Sequence, residues 1–413
     1  VIQPAELPGT QGLVHMRAVL PGGRLLETLD MSGSLALGVR AVMEHGGIGQ
    51  FSRDEVEVFC ATNEVQSTLR TTEESVVVDL ITRDRPASVR GGLQLLRSLV
   101  DNCAVTEEGF RRAQAALRME AGNLHQNLEM AAWDSMRRCI SPDPRLQIPT
   151  EQDVMAIPFA AAQEVVRRQF QVPFEVVISG QVDLAEFLPV LAAHVGGLGQ
   201  RQPLPAGIGE RPESSTKTQA PGMIELNDSE PRGVVFLGGK APDAWGRGLA
   251  LPSKSESAAA APAAMLVAQE VINSRLYTEL RDRRDLTYDA GFGFSLLELS
   301  SGSTWAVEAT TTPNKAAKCG EVAVEVLTKL GASVGAGDVD RGKRAVLQQH
   351  IEGLRFGSYW IGLLSGISVD SLPKTVQVVL EFAKAVDEVT PQDVQAVCKA
   401  LDPASSTRVV GIA

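Results

Sequence analysis

The stretch EVINSRLYTELRDRRDLTYDAGFGF, residues 270–294, sets Arg281 and Tyr288 seven positions apart, where a helical pattern stops and an extended one begins. A guanidinium and a phenol are hydrogen-bond donors of the kind that stabilise negative charge developing on a carbonyl oxygen. The ordinary account of the same residues is a cationic helix end that suits the macrodipole, followed by an amphipathic strand tyrosine. Spacing alone favours the ordinary account.

The other motifs that carry chemistry are incomplete. AVMEH, residues 41–45, resembles the end of HxxEH, in which two histidines four positions apart hold zinc while the glutamate activates water. Ala41 stands at the first histidine position, and the remaining imidazoles, His15, His125, His194 and His350, are scattered. Glu44 and His45 are therefore expected as solvated groups near a helix C-terminus. GDVDRGKR, residues 337–344, approaches a phosphate loop, but Arg344 replaces the magnesium-binding hydroxyl and Asp338 and Asp340 would repel phosphate. GGIGQ at 46–50 and GGLGQ at 196–200 lack dinucleotide-binding spacing and read as helix stops. There is no GxSxG elbow. No metal site and no cofactor site is expected in this chain.

Composition bounds what is left. A chain of 413 residues suits two domains of roughly 200 each. With 44% hydrophobic and 22% charged residues it reads as globular. Fifty acidic against 39 basic residues, net charge −11, argue against nucleic acid as a partner and would draw in a basic peptide. The five cysteines, Cys60, Cys103, Cys139, Cys319 and Cys398, form no CxxC pair; Cys60, Cys103 and Cys319 are expected to be buried and reduced. No apolar run is long enough to span a membrane. The opening VIQPAELPGT, without Met or a charged-then-apolar leader, reads as a processed product or a piece of something longer.

The elements that must position Arg281 and Tyr288 are written twice. SVVVDLITRDRPASVRGGLQLLRSLV (75–100) and STWAVEATTTPNKAAKCGEVAVEVLTKL (303–330) each read as strand, turn and amphipathic helix. FRRAQAALRME (110–120) answers VDRGKRAVLQQH (339–350), AAQEVVRRQF (161–170) answers TPQDVQAVCKAL (390–401), and FEVVISG (174–180) answers TRVVGIA (407–413). The Gly-, Pro- and Ser-rich segment 199–222 separates the copies as a linker, and 253–264 reads as a surface loop. The expected fold is α+β: two tandem domains, 1–200 and 223–413, each a largely antiparallel sheet with helices packed on one face.

Residues 270–294 also resemble the C-terminal half of the M16, or pitrilysin/insulinase-type, zinc metallopeptidases. LPGGRLLETLDMSGSLALGVRAVMEHGGIGQFSRDEVEVFC (20–60) and VVFLGGKAPDAWG (234–246) are similar to the chloroplast transit-peptide-processing branch of that family. Aligned with the family's HxxEHMxxxG motif and the serine after it, Met43, Gly47 and Ser52 match, while Gly38, Ala41 and Val42 replace the zinc histidines and the glutamate. The resemblance implies a non-catalytic half that encloses a peptide or precursor. Its partner would be a zinc-bearing N-terminal half, on the same parent chain or a separate subunit, to which this half supplies Arg281 and Tyr288 for transition-state binding. It further implies transit-peptide processing in the chloroplast stroma, zinc only in the complementary half, and no peptide hydrolysis by this chain alone. Two alternatives accompany it: a structural core-type subunit, and half of a mitochondrial or bacterial oligopeptidase.

Overall fold

The computed structural model describes residues 1–45, 48–199, 201–204, 208, 222–226, 231–253 and 256–413. Most of the linker expected at 199–222 lies outside these residues, as do Gly47 and, in the loop at 253–264, Lys254 and Ser255.

The first repeat runs β1 (Ile2–Gln3), β2 (Leu13–Pro21), α1 (Ser34–His45), α2 (Arg53–Thr62), β3 (Val65–Thr71), β4 (Ser75–Arg83), α3 (Pro86–Asn102), α4 (Glu107–Leu124), α5 (Leu128–Ile140), α6 (Glu151–Ala156), α7 (Phe159–Gln169), β5 (Glu175–Gly180) and α8 (Leu184–Leu191). The second runs β6 (Met223–Glu225), β7 (Gly233–Lys240), α9 (Ala260–Leu276), β8 (Asp289–Ser295), β9 (Thr304–Thr311), α10 (Pro313–Ala332), α11 (Ala336–Gly353), α12 (Gly357–Leu364), α13 (Val376–Glu388), α14 (Pro391–Ala400) and β10 (Thr407–Ile412). Local chemistry sets several boundaries. Pro86 and Pro313 open α3 and α10, where a missing N–H costs nothing. Ser52 with Glu55 and Thr390 with Asp393 form capping boxes that start α2 and α14.

The two five-stranded sheets have the same topology, β1-β5-β2-β4-β3 and β6-β10-β7-β9-β8. Each is antiparallel except for one parallel pair at its edge, β1 with β5 and β6 with β10. The α+β class and the internal repeat read from the sequence are the architecture observed.

The compact units are not contiguous in sequence. One comprises Val1–Ala121, Ile148–Ile208 and Ile351–Leu372; the other comprises Gly122–Gln147, Gly209–His350 and Pro373–Ala413. Relative to the spans 1–200 and 223–413, each repeat thus gives one helix, α5 or α12, to the other's sheet. The main helical layer lies on one face, and the exchanged helix covers part of the opposite face. Val235 and Leu237 of β7 join the core under α9, α10 and α14, while Val234 and Phe236 join Leu128, Ala132 and Met136 of α5. This two-sided cover explains why β7 reads as the near-continuous apolar run GVVFLGGK rather than alternating. In the first unit, Ile361 and Leu364 of α12 pack with Val177 of β5. The buried Glu175 accepts hydrogen bonds from the Gly366 and Ser368 amides, which fixes the chain just after that helix.

All five cysteines are free thiols. Cys319 and Cys398 are the fully buried ones, and burial pushes their pKa values up to about 11 and about 12. Cys60 and Cys103, expected to be buried, keep intermediate exposure, although at Cys103 the thiol itself is covered well enough for burial to push its pKa up to about 12.

Leu128→Ala should destabilise the protein by about 2–5 kcal/mol, because its side chain is 1% exposed and fills the second sheet's face although it belongs to the first repeat. Urea unfolding checks this, with Met119→Ala, at a 64% exposed position of α4, expected to stay within about 0.5 kcal/mol. Stability should also fall on acidification. His15 is half-buried with an unpartnered Nε2, and desolvation, only partly opposed by Asp79, lowers its pKa from the usual 6.5. The unfolded chain then takes up the proton first, so stability is lost as pH drops through 6.5. His15→Gln should flatten that part of the urea midpoint against pH curve.

Candidate functional site

Arg281 and Tyr288 lie in the second unit, on the connection from α9 to the edge strand β8. α9 is buried on nearly all sides, with Ala263, Val267, Ala268, Val271 and Ile272 each at most 1% exposed. After Leu276 the backbone widens into a π-helical turn, Tyr277–Asp282, that contains Arg281. Such turns recur at functional sites because they redirect a side chain out of the α-helical register. Asp285 then reverses the chain at φ +47°.

The connection is braced from two elements. The Asp285 amide donates to the Arg281 carbonyl at 3.0 Å and the Leu286 amide to the Leu280 carbonyl at 2.7 Å. Lys315 of α10 donates to both the carbonyl and the carboxylate of Asp285. The Thr311 hydroxyl of β9 donates to the Leu286 carbonyl, and the Thr287 hydroxyl bonds the carbonyls of Asp289 and Thr310. β8 is tied to α9 in turn, because Asn273 accepts from the Phe292 amide at 2.7 Å and donates to its carbonyl at 3.1 Å. A loop held at this many points presents its side chains with little ordering cost.

The cations around this helix end differ in a telling way. Arg275 pairs with Asp338, Arg283 with Glu279, and Arg284 with Glu325 at 3.0 Å. Hydrogen bonds from Arg284 and Lys329 pull the Glu325 pKa down to about 2. Arg281 has no carboxylate partner among the described residues, and its guanidinium carbon lies 4.9 Å from the centroid of the Tyr277 ring. Stacking on a ring steadies a guanidinium while leaving its N–H groups available. Tyr288 is 82% exposed. No hydrogen bond joins Tyr288 to Arg281 among the described residues, so the structure sets them on one braced connection with their donor groups free.

Sequence reasoning passed over Asn273, whose polar side chain on an otherwise apolar helix was the available signal. It also passed over Gly291 and Gly293, an alternating pair in a strand pattern, and Glu308. Gly291, Gly293 and Glu308 border an open groove of about 460 Å³ on the face of β8 and β9 opposite α9.

The positions that would correspond to a zinc motif do not fit a metal. Ala41 and Val42 are 1% and 2% exposed in the core of the first unit. A Cβ at Gly38 would stand 2.5 Å from Val166 and 2.9 Å from the Ala162 carbonyl oxygen, so α7 excludes any side chain there. Glu44 is held by Arg40 at 2.7 Å. Among the described residues no group of three or more His, Cys, Asp or Glu side chains could hold a metal ion. Writing the motif back as Gly38→His, Ala41→Glu and Val42→His should give no stoichiometric zinc by elemental analysis. Overpacking and a buried charge should instead cost several kcal/mol, roughly 1–3 for each inserted side chain.

Against known proteins, residues 173–346 match the family model described as the peptidase M16 inactive domain. The chain is 28% identical over 399 residues to the chloroplastic stromal processing peptidase of Pisum sativum, covering 87% of this chain and 31% of that protein. It therefore spans about a third of the length of the curated relatives it matches. Among solved structures, a peptidase M16 inactive domain from Pseudomonas fluorescens superposes with TM-score 0.78 at 15% identity, covering 99% of this chain and 94% of that one. The periplasmic protease PqqL from Escherichia coli gives TM-score 0.77 at 16% identity, covering all of this chain and 44% of that one.

Proposed function

We propose, from the premise that this chain belongs to the M16 peptidase family through its inactive domain, that it is the substrate-positioning half of a zinc endopeptidase. Its complement is a half bearing HxxEH, which supplies zinc and the water-activating glutamate. This chain supplies Arg281 and Tyr288, whose N–H and O–H groups donate to the peptide carbonyl as it becomes an oxyanion. The similarity to plant stromal processing peptidases favours transit-peptide precursors as substrates and the chloroplast stroma as the place of action. No helix among the described residues is long and apolar enough to cross a membrane.

The observation that carries this reading is that Arg281 has no acid partner among the described residues, beside three ion-paired arginines and on a connection that also exposes Tyr288. A purely structural subunit gains nothing from a guanidinium left without a carboxylate. In a low-dielectric, closed site, donors aimed at a developing oxyanion are worth about 3 kcal/mol each.

Cleavage of a labelled transit-peptide precursor by this chain, by an HxxEH-bearing half, and by the two mixed is the test, with zinc counted in each. Activity is expected only in the mixture and zinc only in the other half. Arg281→Ala and Tyr288→Phe should each lower kcat/KM in the mixture by about 10²-fold or more, with unfolding midpoints unchanged because both side chains are exposed. Unchanged cleavage by the double variant would sink the assignment, and an inert mixture would favour a scaffold.

A further inference from the structure

The second sheet's face opposite α9 is covered by α5 over β10 and β7 but open over β9 and β8, where the groove of about 460 Å³ lies. Its floor includes Gly291 and Gly293, and its wall includes Trp133 and Arg137 of α5, with the Arg137 guanidinium stacked 4.6 Å from the Trp133 ring centroid. Neither glycine has a positive φ, and a Cβ added at either would meet nothing within 4 Å. Glycine inside a strand costs stability, so packing and backbone geometry give no reason for this pair. What the glycines do is keep the floor low, as a close-approaching backbone requires.

Charge gives the second clue, and the internal repeat supplies a comparison within the chain. In the first sheet, Asp79 of β4 faces Arg17 on β2 and lies near Arg70 on β3, and it is ion-paired with both. In the second sheet, Glu308 of β9 faces Phe236 on β7 and Gly291 on β8. It has no cationic partner among the described residues, since Arg137 on the groove wall stacks on Trp133 and donates to the Leu146 carbonyl, and the charges that act on it are those of the acids Glu129 and Asp289. Glu129 already holds Arg232 at 2.7 Å. The second sheet thus presents an acid without its cation, beside a floor cleared of side chains.

We infer that this groove binds an extended basic peptide segment, its backbone passing over Gly291 and Gly293 and a lysine or arginine side chain reaching Glu308. The inference rests on the reading of this chain as a substrate-positioning half and adds the chemical class of residue it selects. The peptide lies on the sheet face rather than adding as a sixth strand, because Asn273 already occupies the outer-edge amide and carbonyl of Phe292. Tyr288 immediately precedes β8, so a segment lying along the strand leads toward the Arg281 and Tyr288 connection.

The test is equilibrium binding to the 413-residue chain, by fluorescence anisotropy, of a labelled decapeptide alternating Lys with Ala and of its Glu-for-Lys counterpart. The Lys peptide should bind at least tenfold tighter. Gly291→Val with Gly293→Val should raise its Kd at least tenfold while the unfolding midpoint holds or rises, since valine suits a strand and a Cβ at either position meets nothing within 4 Å. Glu308→Gln should remove most of the preference for Lys over Glu and independently covers the case in which the double variant misfolds. Equal binding of the two peptides, or undiminished binding by a stably folded valine variant, overturns the inference. So does a result in which the groove variants alter only self-association in sedimentation, since the face would then be covered by a second copy. The assay needs no zinc-bearing half. Groove variants that bind normally while Arg281→Ala abolishes cleavage would refute the groove alone, and the converse would refute the Arg281 role alone.

Discussion

A five-stranded sheet has two faces to keep from water, and each repeat of this chain stacks its own helices on only one of them. That constraint is met by exchange, with α5 covering part of the second sheet and α12 part of the first. Burying an apolar side chain is worth about 1.5–3 kcal/mol, so a helix that buries Leu128, Ala132, Met136 and Ile140 is a large fraction of a domain's net stability. Neither sheet is complete without residues from the other repeat. Glu175 shows how firmly the arrangement is fixed, since a carboxylate 6% exposed is tolerated there because two amides just beyond α12 satisfy it.

The same exchange shapes the candidate site. Because α5 packs mainly on β10 and β7, with Ala306 of β9 at the margin of its cluster, β9 and β8 keep an open face, and β8 is an edge strand. The edge itself is closed at its middle by Asn273, one of the ways proteins prevent edge-to-edge pairing. Rigidity on the helix side and openness on the other are therefore properties of one strand. A braced connection at its start and a cleared floor along its length follow from which helix covers what.

Much of this was legible in the sequence, for identifiable reasons. The repeat was readable because strand, turn and helix periods recur in order, and topology follows periodicity when each copy must build the same sheet. The loss of the zinc motif at Gly38, Ala41 and Val42 was readable because zinc needs specific ligands at fixed spacing, and these three residues carry none. The helix exchange was not readable, because α5 and α12 are amphipathic helices whose pattern says that a face is buried but not against which sheet. Cys60 misleads for a similar reason, since an apolar neighbourhood in sequence does not specify how deep the position lies. That Arg281 has no acid partner among the described residues was invisible too. Four arginines crowd within residues 275–284, and only the fold decides that Arg275, Arg283 and Arg284 meet acids while Arg281 meets a ring.

Two uncompensated charges of opposite sign, Arg281 and Glu308, stand at opposite ends of the argument for function. A protein with net charge −11 has acids to spare, so a guanidinium without an acid partner among the described residues reflects local geometry rather than shortage. Glu308 is the converse, an acid whose ladder neighbours are Phe236 and Gly291 where the first sheet sets arginines around Asp79. A peptide in the act of cleavage offers both complements: a carbonyl oxygen gaining negative charge, and side chains that in a basic segment are positive. From Tyr288 to Gly293 is about 16 Å at the usual strand rise, the length of roughly five extended residues. On the proposed reading, one bound segment of that length would reach from the donor pair to the acid and meet the two charges that have no partner among the described residues.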